Sequence, residues 1–208
     1  FVLMEMGLLL LILIVARPQV GSKIASNKER EGIETIIALD ISNSMLAEDV
    51  APSRLEKSKL LVENLMDKFS EDKIGLIVFA GDAFVQLPIT SDYVSAKMFL
   101  DNINPSLIGA QGTDIGKALQ LSMNSFTPNS KVGKAIILIT DGEDNEGGAE
   151  DMAKQAYSKG IKVFILGIGS KEGTPIPMPD GSELKTLNGE LVKTRLNEEM
   201  CKQIATAG

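Results

Sequence analysis

Thr35–Ile41 reads TIIALDI and runs directly into Ser42-Asn43-Ser44. The run is short, apolar and rich in β-branched residues, the pattern of a strand buried on both faces of a parallel sheet. Ile74–Ala80 (IGLIVFA), Lys134–Thr140 (KAIILIT) and Ile161–Ile168 (IKVFILGI) repeat it and read as three further core strands. Between them lie helical patterns. Ser53-Arg54-Leu55-Glu56 fits a capping box with Ser53 as N-cap, and Leu55, Val62, Leu65, Met66 and Phe69 follow at the spacing of one helical face. Asp92–Ile103, Asp114–Phe126, Ala149–Lys159 and Asn197–Ala207 are also expected to be helical, the third ending at Gly160. Gly81-Asp82 reads as a tight turn, with Ala83–Leu87 returning as an antiparallel edge strand that Pro88 stops. Strands alternating with helices predict an α/β fold: a doubly wound, mostly parallel sheet with one antiparallel edge strand and helices on both faces. Asn188-Gly189, between Glu183–Leu187 and Glu190–Thr194, predicts a type I′ hairpin within an insertion over about 176–195.

Composition narrows the chemistry. The chain has 208 residues, 44% of them hydrophobic, which suits one domain with an appendage. Trp is absent, so the core must be built from Ile, Leu, Val, Met and Ala. The net charge of −7 argues against nucleic acid as a partner and is compatible with binding a cation. The single cysteine, Cys201, excludes an intrachain disulfide. There is no histidine, which removes Ser-His-Asp and Cys-His nucleophile systems and every His-ligated zinc site. A metal in this chain would be held by oxygen, which selects hard cations such as Mg²⁺, Ca²⁺ or Mn²⁺.

Phe1–Ala16 reads FVLMEMGLLLLILIVA, and Arg17-Pro18 ends it. As a helix it would span roughly 24 Å, slightly short of a ~30 Å hydrocarbon core. With Phe1 standing first instead of Met, the expectation is a transmembrane helix over 1–17 whose start is missing. A signal peptide would want a basic start and a clear cleavage site, and a buried core helix would rarely carry the nine consecutive apolar residues Leu8–Ala16. Residues 18–33 read as a polar linker, and 34–208 as the globular domain, truncated before its C-terminal end.

Three short segments carry chemistry. Asp40-Ile41-Ser42-Asn43-Ser44 follows the first strand, Gly112-Thr113-Asp114 opens a helix, and Thr140-Asp141-Gly142 ends the strand Lys134–Thr140. Ligands of open α/β sheets bind outside the carboxyl ends of the strands at the switch point, so the three segments are expected to converge there. Asp40 and Asp141 would supply negative charge, and Ser42, Ser44 and Thr113 neutral hydroxyl oxygens, a donor set suited to Mg²⁺. With hydroxyls as the main ligands, the ion stays incompletely neutralised and keeps a position open for a foreign carboxylate. Thr113 can also cap the helix it heads. Asp114, Glu143 and Asp144 read as solvated loop acids, and Asn43 and Met45 as shaping the loop.

D-x-S-x-S at Asp40–Ser44, the later Thr113 and Asp141 of T-D-G resemble the metal-ion-dependent adhesion site of von Willebrand factor A (VWA) domains, over roughly Glu34–Gly169. A narrower resemblance lies in A-R-P-Q after the apolar run, L-D-I-S-N-S-M, P-S-R-L-E, V-F-A-G-D-A-F and Q-G-T-D-I-G-K-A-L, which look like bacterial membrane VWA proteins of the aerotolerance (Bat) type. The resemblance implies a non-enzymatic interaction module that binds an Asp or Glu of a protein partner through a Mg²⁺-type site. It also implies anchoring in the bacterial inner membrane with the domain on the periplasmic side, alongside sister VWA proteins and a MoxR-type AAA+ ATPase. The competing expectation is a Mg²⁺-dependent phosphohydrolase using Asp40. Haloacid-dehalogenase-type phosphatases want a second Asp two residues after the nucleophile, and that position here is Ser42.

Overall fold

The computed structural model describes residues 32–178, 180–186 and 188–208. The expected transmembrane helix over 1–17 and nearly all of the linker lie outside these residues. Among the described residues no helix is long and apolar enough to cross a membrane.

Five strands form the main sheet: β1 (Glu34–Asp40), β2 (Lys73–Phe79), β3 (Ala83–Thr90), β4 (Lys134–Thr140) and β5 (Ile161–Gly167), in the order β3-β2-β1-β4-β5. β1 pairs parallel with β2 and with β4, β4 pairs parallel with β5, and β3 runs antiparallel to β2. This is the mostly parallel sheet with an antiparallel edge that the alternation of patterns predicts. Among the described residues five α-helices accompany it: α1 (Arg54–Met66), α2 (Tyr93–Asp101), α3 (Ile115–Ser125), α4 (Ala149–Ser158) and α5 (Glu198–Ala207).

The alternation of side chains along β1 divides the core into two layers. Ile37 and Leu39 join Leu55, Val62 and Met66 of α1 and Ala96 and Leu100 of α2. Ile36 and Ala38 join Ala118 and Leu119 of α3, Ala153 of α4 and Ile204 of α5. All seven residues of β1 are buried, which explains its unbroken apolar run.

Two strands differ from expectation. β3 continues through Pro88 to Thr90. Between the pairs Ile74–Thr90 and Leu76–Leu87, β3 takes one step more than β2, and Pro88 lies in that bulge. On an edge strand a residue without an N–H breaks no ladder. β5 is a half-covered edge rather than a core strand: Ile161 and Val163 are buried, whereas Phe164 is 54% exposed. Its sequence alternates accordingly, with Lys162 between them.

The insertion also differs. β6 (Thr174–Pro175) pairs antiparallel with β7 (Lys193–Thr194), and single bridges join Pro177 to Glu183 and Lys185 to Leu191. Thr186 N donates to Glu190 O, and Gly189 N to Thr186 O, with Gly189 at φ +83°. Three residues therefore separate the paired Thr186 and Glu190, the loop length that goes with a glycine bulge, in place of the expected two-residue type I′ turn.

Candidate metal centre

The strand order reverses between β1 and β4, so the carboxyl ends of these neighbours flank the crevice of a doubly wound sheet. Asp40 ends β1 and Asp141 follows β4. Both are fully buried, while Ser42 and Ser44 are 4% and 6% exposed and Thr113 3%. After Asp40 the chain turns through a 3-10 turn, Asn43–Leu46. This turn brings the hydroxyls of Ser42 and Ser44 to 3.0 Å. Asp40 Oδ1 accepts from Ser42 N at 2.9 Å, and Oδ2 accepts from Thr140 Oγ1 at 2.6 Å, so β4 fixes the carboxylate that ends β1.

Thr113 reaches the same rim from a third segment. Asp114 N donates to Ala80 O at 2.8 Å, just beyond the end of β2. On the other side Thr113 N donates to Asn145 Oδ1 at 2.8 Å, and Asn145 N to Thr113 O at 2.9 Å, in the loop after β4. β2 and β4 flank β1, so the Thr113 segment is anchored on both sides of the strand that carries Asp40.

Burial and then the charge of Asp141 push the Asp40 carboxyl up to about 7, against the lowering effect of its bonds from Thr140 and Ser42. Its bonds come from a hydroxyl and an amide, neither of which carries positive charge. Asp141 is surrounded differently. Its Oδ1 accepts from Glu143 N at 3.1 Å, and its Oδ2 accepts from Arg54 Nη1 at 2.8 Å. Gly142, at φ +78°, lets the loop turn against α5: a Cβ there would lie 2.7 Å from Asn197 O.

Arg54 is the residue that sequence reasoning missed. P-S-R-L-E by itself points only to a capping motif and a family resemblance. The Ser53 half of the box is present, with Glu56 N donating to Ser53 Oγ at 3.2 Å, while the Glu56 carboxylate pairs with Lys59. Arg54 is the first residue of α1, where a cation opposes the helix dipole, and it is fully buried. Of the two, only the cation at the head of a capped helix is visible in the sequence, and by itself it does not name a partner.

Three acids read as solvated have structural duties. Asp114, not Thr113, caps α3, accepting from Lys117 N at 2.8 Å. Glu143 accepts from Thr194 Oγ1 at 2.9 Å, and burial raises its pKa. Asp144 Oδ1 accepts from Ile115 N at 3.4 Å, and burial raises this carboxyl as well.

The donor set can be tested against a cation. Among the described residues no group of three or more Asp, Glu or Cys side chains is placed to hold a metal ion, so the candidate donors to be weighed include the hydroxyls. Mg²⁺ takes oxygens at about 2.0–2.1 Å in an octahedron, whose adjacent ligands then stand roughly 2.9 Å apart. The 3.0 Å between the Ser42 and Ser44 hydroxyls fits such an edge. The under-compensated Asp40 fits a missing positive charge.

The sequence profile of the von Willebrand factor type A domain matches residues 35–143. The chain belongs to the von Willebrand factor type A family. The crystal structure of BatB from Bacteroides thetaiotaomicron is 60% identical to this VWA protein, with a TM-score of 0.83 over 85% of this chain and 87% of that one. An aerotolerance-related membrane protein from Bacteroides fragilis NCTC 9343, solved with multiple mutations to serine, is 58% identical, with a TM-score of 0.83 over 85% of this chain and 88% of the other. Among curated relatives, an uncharacterized protein of Borreliella burgdorferi is 33% identical over 68% of this chain, which spans 42% of that relative's length. The fold recurs at 23% identity and a TM-score of 0.58 in proximal thread matrix protein 1 of the mussel byssus, over 67% of this chain and 37% of the other; that structure carries zinc in its MIDAS motif. VWA domains form a family of protein-interaction modules, and the similarity to Bat-type proteins agrees with the motifs around the site.

Proposed function

We propose that this VWA domain holds one divalent cation between Ser42, Ser44, Thr113 and the carboxylates of Asp40 and Asp141, and thereby grips an acidic side chain of a protein partner. The observation that carries the reading is the Asp40 carboxylate, buried beside Asp141 and bonded only to uncharged donors. Burial without a counter-charge is costly for a carboxylate, and a cation at the rim relieves it. The all-oxygen donor set favours Mg²⁺, with Mn²⁺ or Ca²⁺ as alternatives. Bound there, the cation supplies a Lewis-acidic point that a carboxylate from another chain can fill. Ser42 and Ser44 present oxygen without adding charge. Asp40 brings one negative charge, and Asp141 a second that it shares with Arg54.

The wider setting belongs to the same proposal. The Phe1–Ala16 run would anchor the domain in the bacterial inner membrane, on the periplasmic side, with sister VWA proteins and a MoxR-type ATPase as the assembly it serves. The apolar run and the membrane description of the B. fragilis relative support the anchoring in a membrane. A crosslinking pull-down from membranes tests the partner claim. Capture of a protein by wild type in Mg²⁺, lost in EDTA and in Asp40→Ala, is the expected outcome. Equal capture in Mg²⁺ and in EDTA would leave the ion, at most, steadying loops, and Asp40-dependent turnover of a phosphate ester would make the site an enzyme's.

A further inference from the structure

We infer that Arg54 is the positioning residue of the cation site: its guanidinium, clamped by Asp49, holds the Asp141 carboxylate in the orientation from which it serves the ion. This rests on the cation reading above.

The guanidinium has five N–H groups, and each has an acceptor. Nε donates to Asp49 Oδ1 at 2.8 Å and Nη2 to Asp49 Oδ2 at 2.7 Å, a two-point grip that fixes the plane of the group. Nη2 also reaches Thr194 O at 3.4 Å. Nη1, aimed by that plane, donates to Asp141 Oδ2 at 2.8 Å and to Thr194 Oγ1 at 2.9 Å. Thr194 lies on β7, and its hydroxyl has one proton to give, to Glu143 Oε1 at 2.9 Å or to Asp141 Oδ2 at 3.2 Å. Asp49 is itself fixed, accepting from Ser170 N at 2.7 Å. The clamp thus gathers the loop before α1, the start of α1, the loop after β4, the turn after β5 and the end of the insertion.

The space is fitted to the group. Gly169 has φ +134°, and a Cβ there would stand 2.9 Å from the Arg54 guanidinium carbon. Charge matters as much as shape. The two-point pair with Asp49 offsets the charge of Arg54 on the side away from Asp141. The clamp can therefore orient Asp141 while leaving it attractive to a cation. Lysine could carry the charge but not the fork, and could not satisfy both Asp49 oxygens and Asp141 in one plane. Groups that orient a metal's ligands commonly account for about 10–100-fold in its affinity.

Mn²⁺ is the probe, with free ion counted by electron paramagnetic resonance and folding followed by thermal melting. Wild type is expected to bind one Mn²⁺. Arg54→Lys is expected to melt cooperatively yet bind at least about tenfold more weakly. Asp49→Asn, which keeps an acceptor but leaves the guanidinium charge to act on Asp141, is expected to bind several-fold more weakly. A cooperatively melting Arg54→Lys that binds within twofold of wild type overturns the role of Arg54. Should Arg54→Lys not fold, Asp49→Asn decides: unchanged affinity overturns the role, and a several-fold loss supports it. Absence of binding by wild type overturns the cation reading itself, and the role of Arg54 with it.

Discussion

Asp40 and Asp141 stand at the ends of neighbouring parallel strands and are buried to the same degree, but their partners differ in kind. Asp40 is held by a threonine hydroxyl and a backbone amide. Asp141 is held by an arginine that is itself held by a second aspartate. One carboxylate has no cationic partner, and the other has one whose charge Asp49 offsets. The rim is thereby left with an excess of negative charge, and two serine hydroxyls stand 3.0 Å apart beside it. The difference teaches that burial alone does not mark an ion site. On the proposed reading, what marks such a site is burial whose counter-charge the fold does not provide.

The harshest way to break the contrast is to strip Asp141 of its compensation. Arg54→Met leaves the buried Asp141 and the part-buried Asp49 without a cation, and urea denaturation should show a loss of about 3–5 kcal/mol. A loss under about 1 kcal/mol would mean that the pair is weaker than its burial implies. A milder approach titrates the clamp. Burial alone would raise the Asp49 carboxyl, but bonds from Arg54 and Ser170 outweigh it and bring it down to about 2. Because the folded value lies below the unfolded one, the stabilisation is complete above about pH 4 and is lost as pH falls toward 2. That loss should amount to roughly 2 kcal/mol in wild type and be missing from Asp49→Asn. The same acid slope in both proteins would contradict the clamp.

On the Asp40 side, Thr140→Val removes the donor to Asp40 Oδ2 and the acceptor for Gly142 N. Equilibrium unfolding should register a cost of about 1.5 kcal/mol. If Asp40 carries the larger share of the ion's attraction, Mg²⁺ should restore part of that loss. Ser53→Ala touches neither carboxylate. It should cost only about 1 kcal/mol through the lost helix cap, with no change in the response to Mg²⁺.

These two sides were unequally legible in the sequence. β1, β2 and β4 announced themselves because burial on both faces forces continuous apolar runs such as TIIALDI and KAIILIT. The ligand candidates were legible for a related reason: polar residues that interrupt such runs at strand ends have few other places to go in this topology. Arg54 was not, because only Asp49, five residues before it, is near in the chain; Asp141 and Thr194 lie 87 and 140 residues away, and no local period records such a meeting. Asp114 displaced Thr113 as the cap of α3 for a reason of one residue's register, since the cap must reach the N–H three positions on. Pro88 misled because its rule concerns ladder hydrogen bonds, and an edge strand with a bulge does not require one at that position. The insertion resisted reading because its pairings are one or two residues long, too short for alternation to show.

Isothermal calorimetry of the chain with Mg²⁺, run beside Asp40→Asn, tests the central claim most directly. The account predicts one Mg²⁺ bound per chain at millimolar concentration or below, with the binding abolished when the carboxylate that has no cationic partner becomes an amide. Wild type that gives no binding heat at several millimolar Mg²⁺ or Mn²⁺, or an Asp40→Asn variant that binds as wild type does, would contradict it.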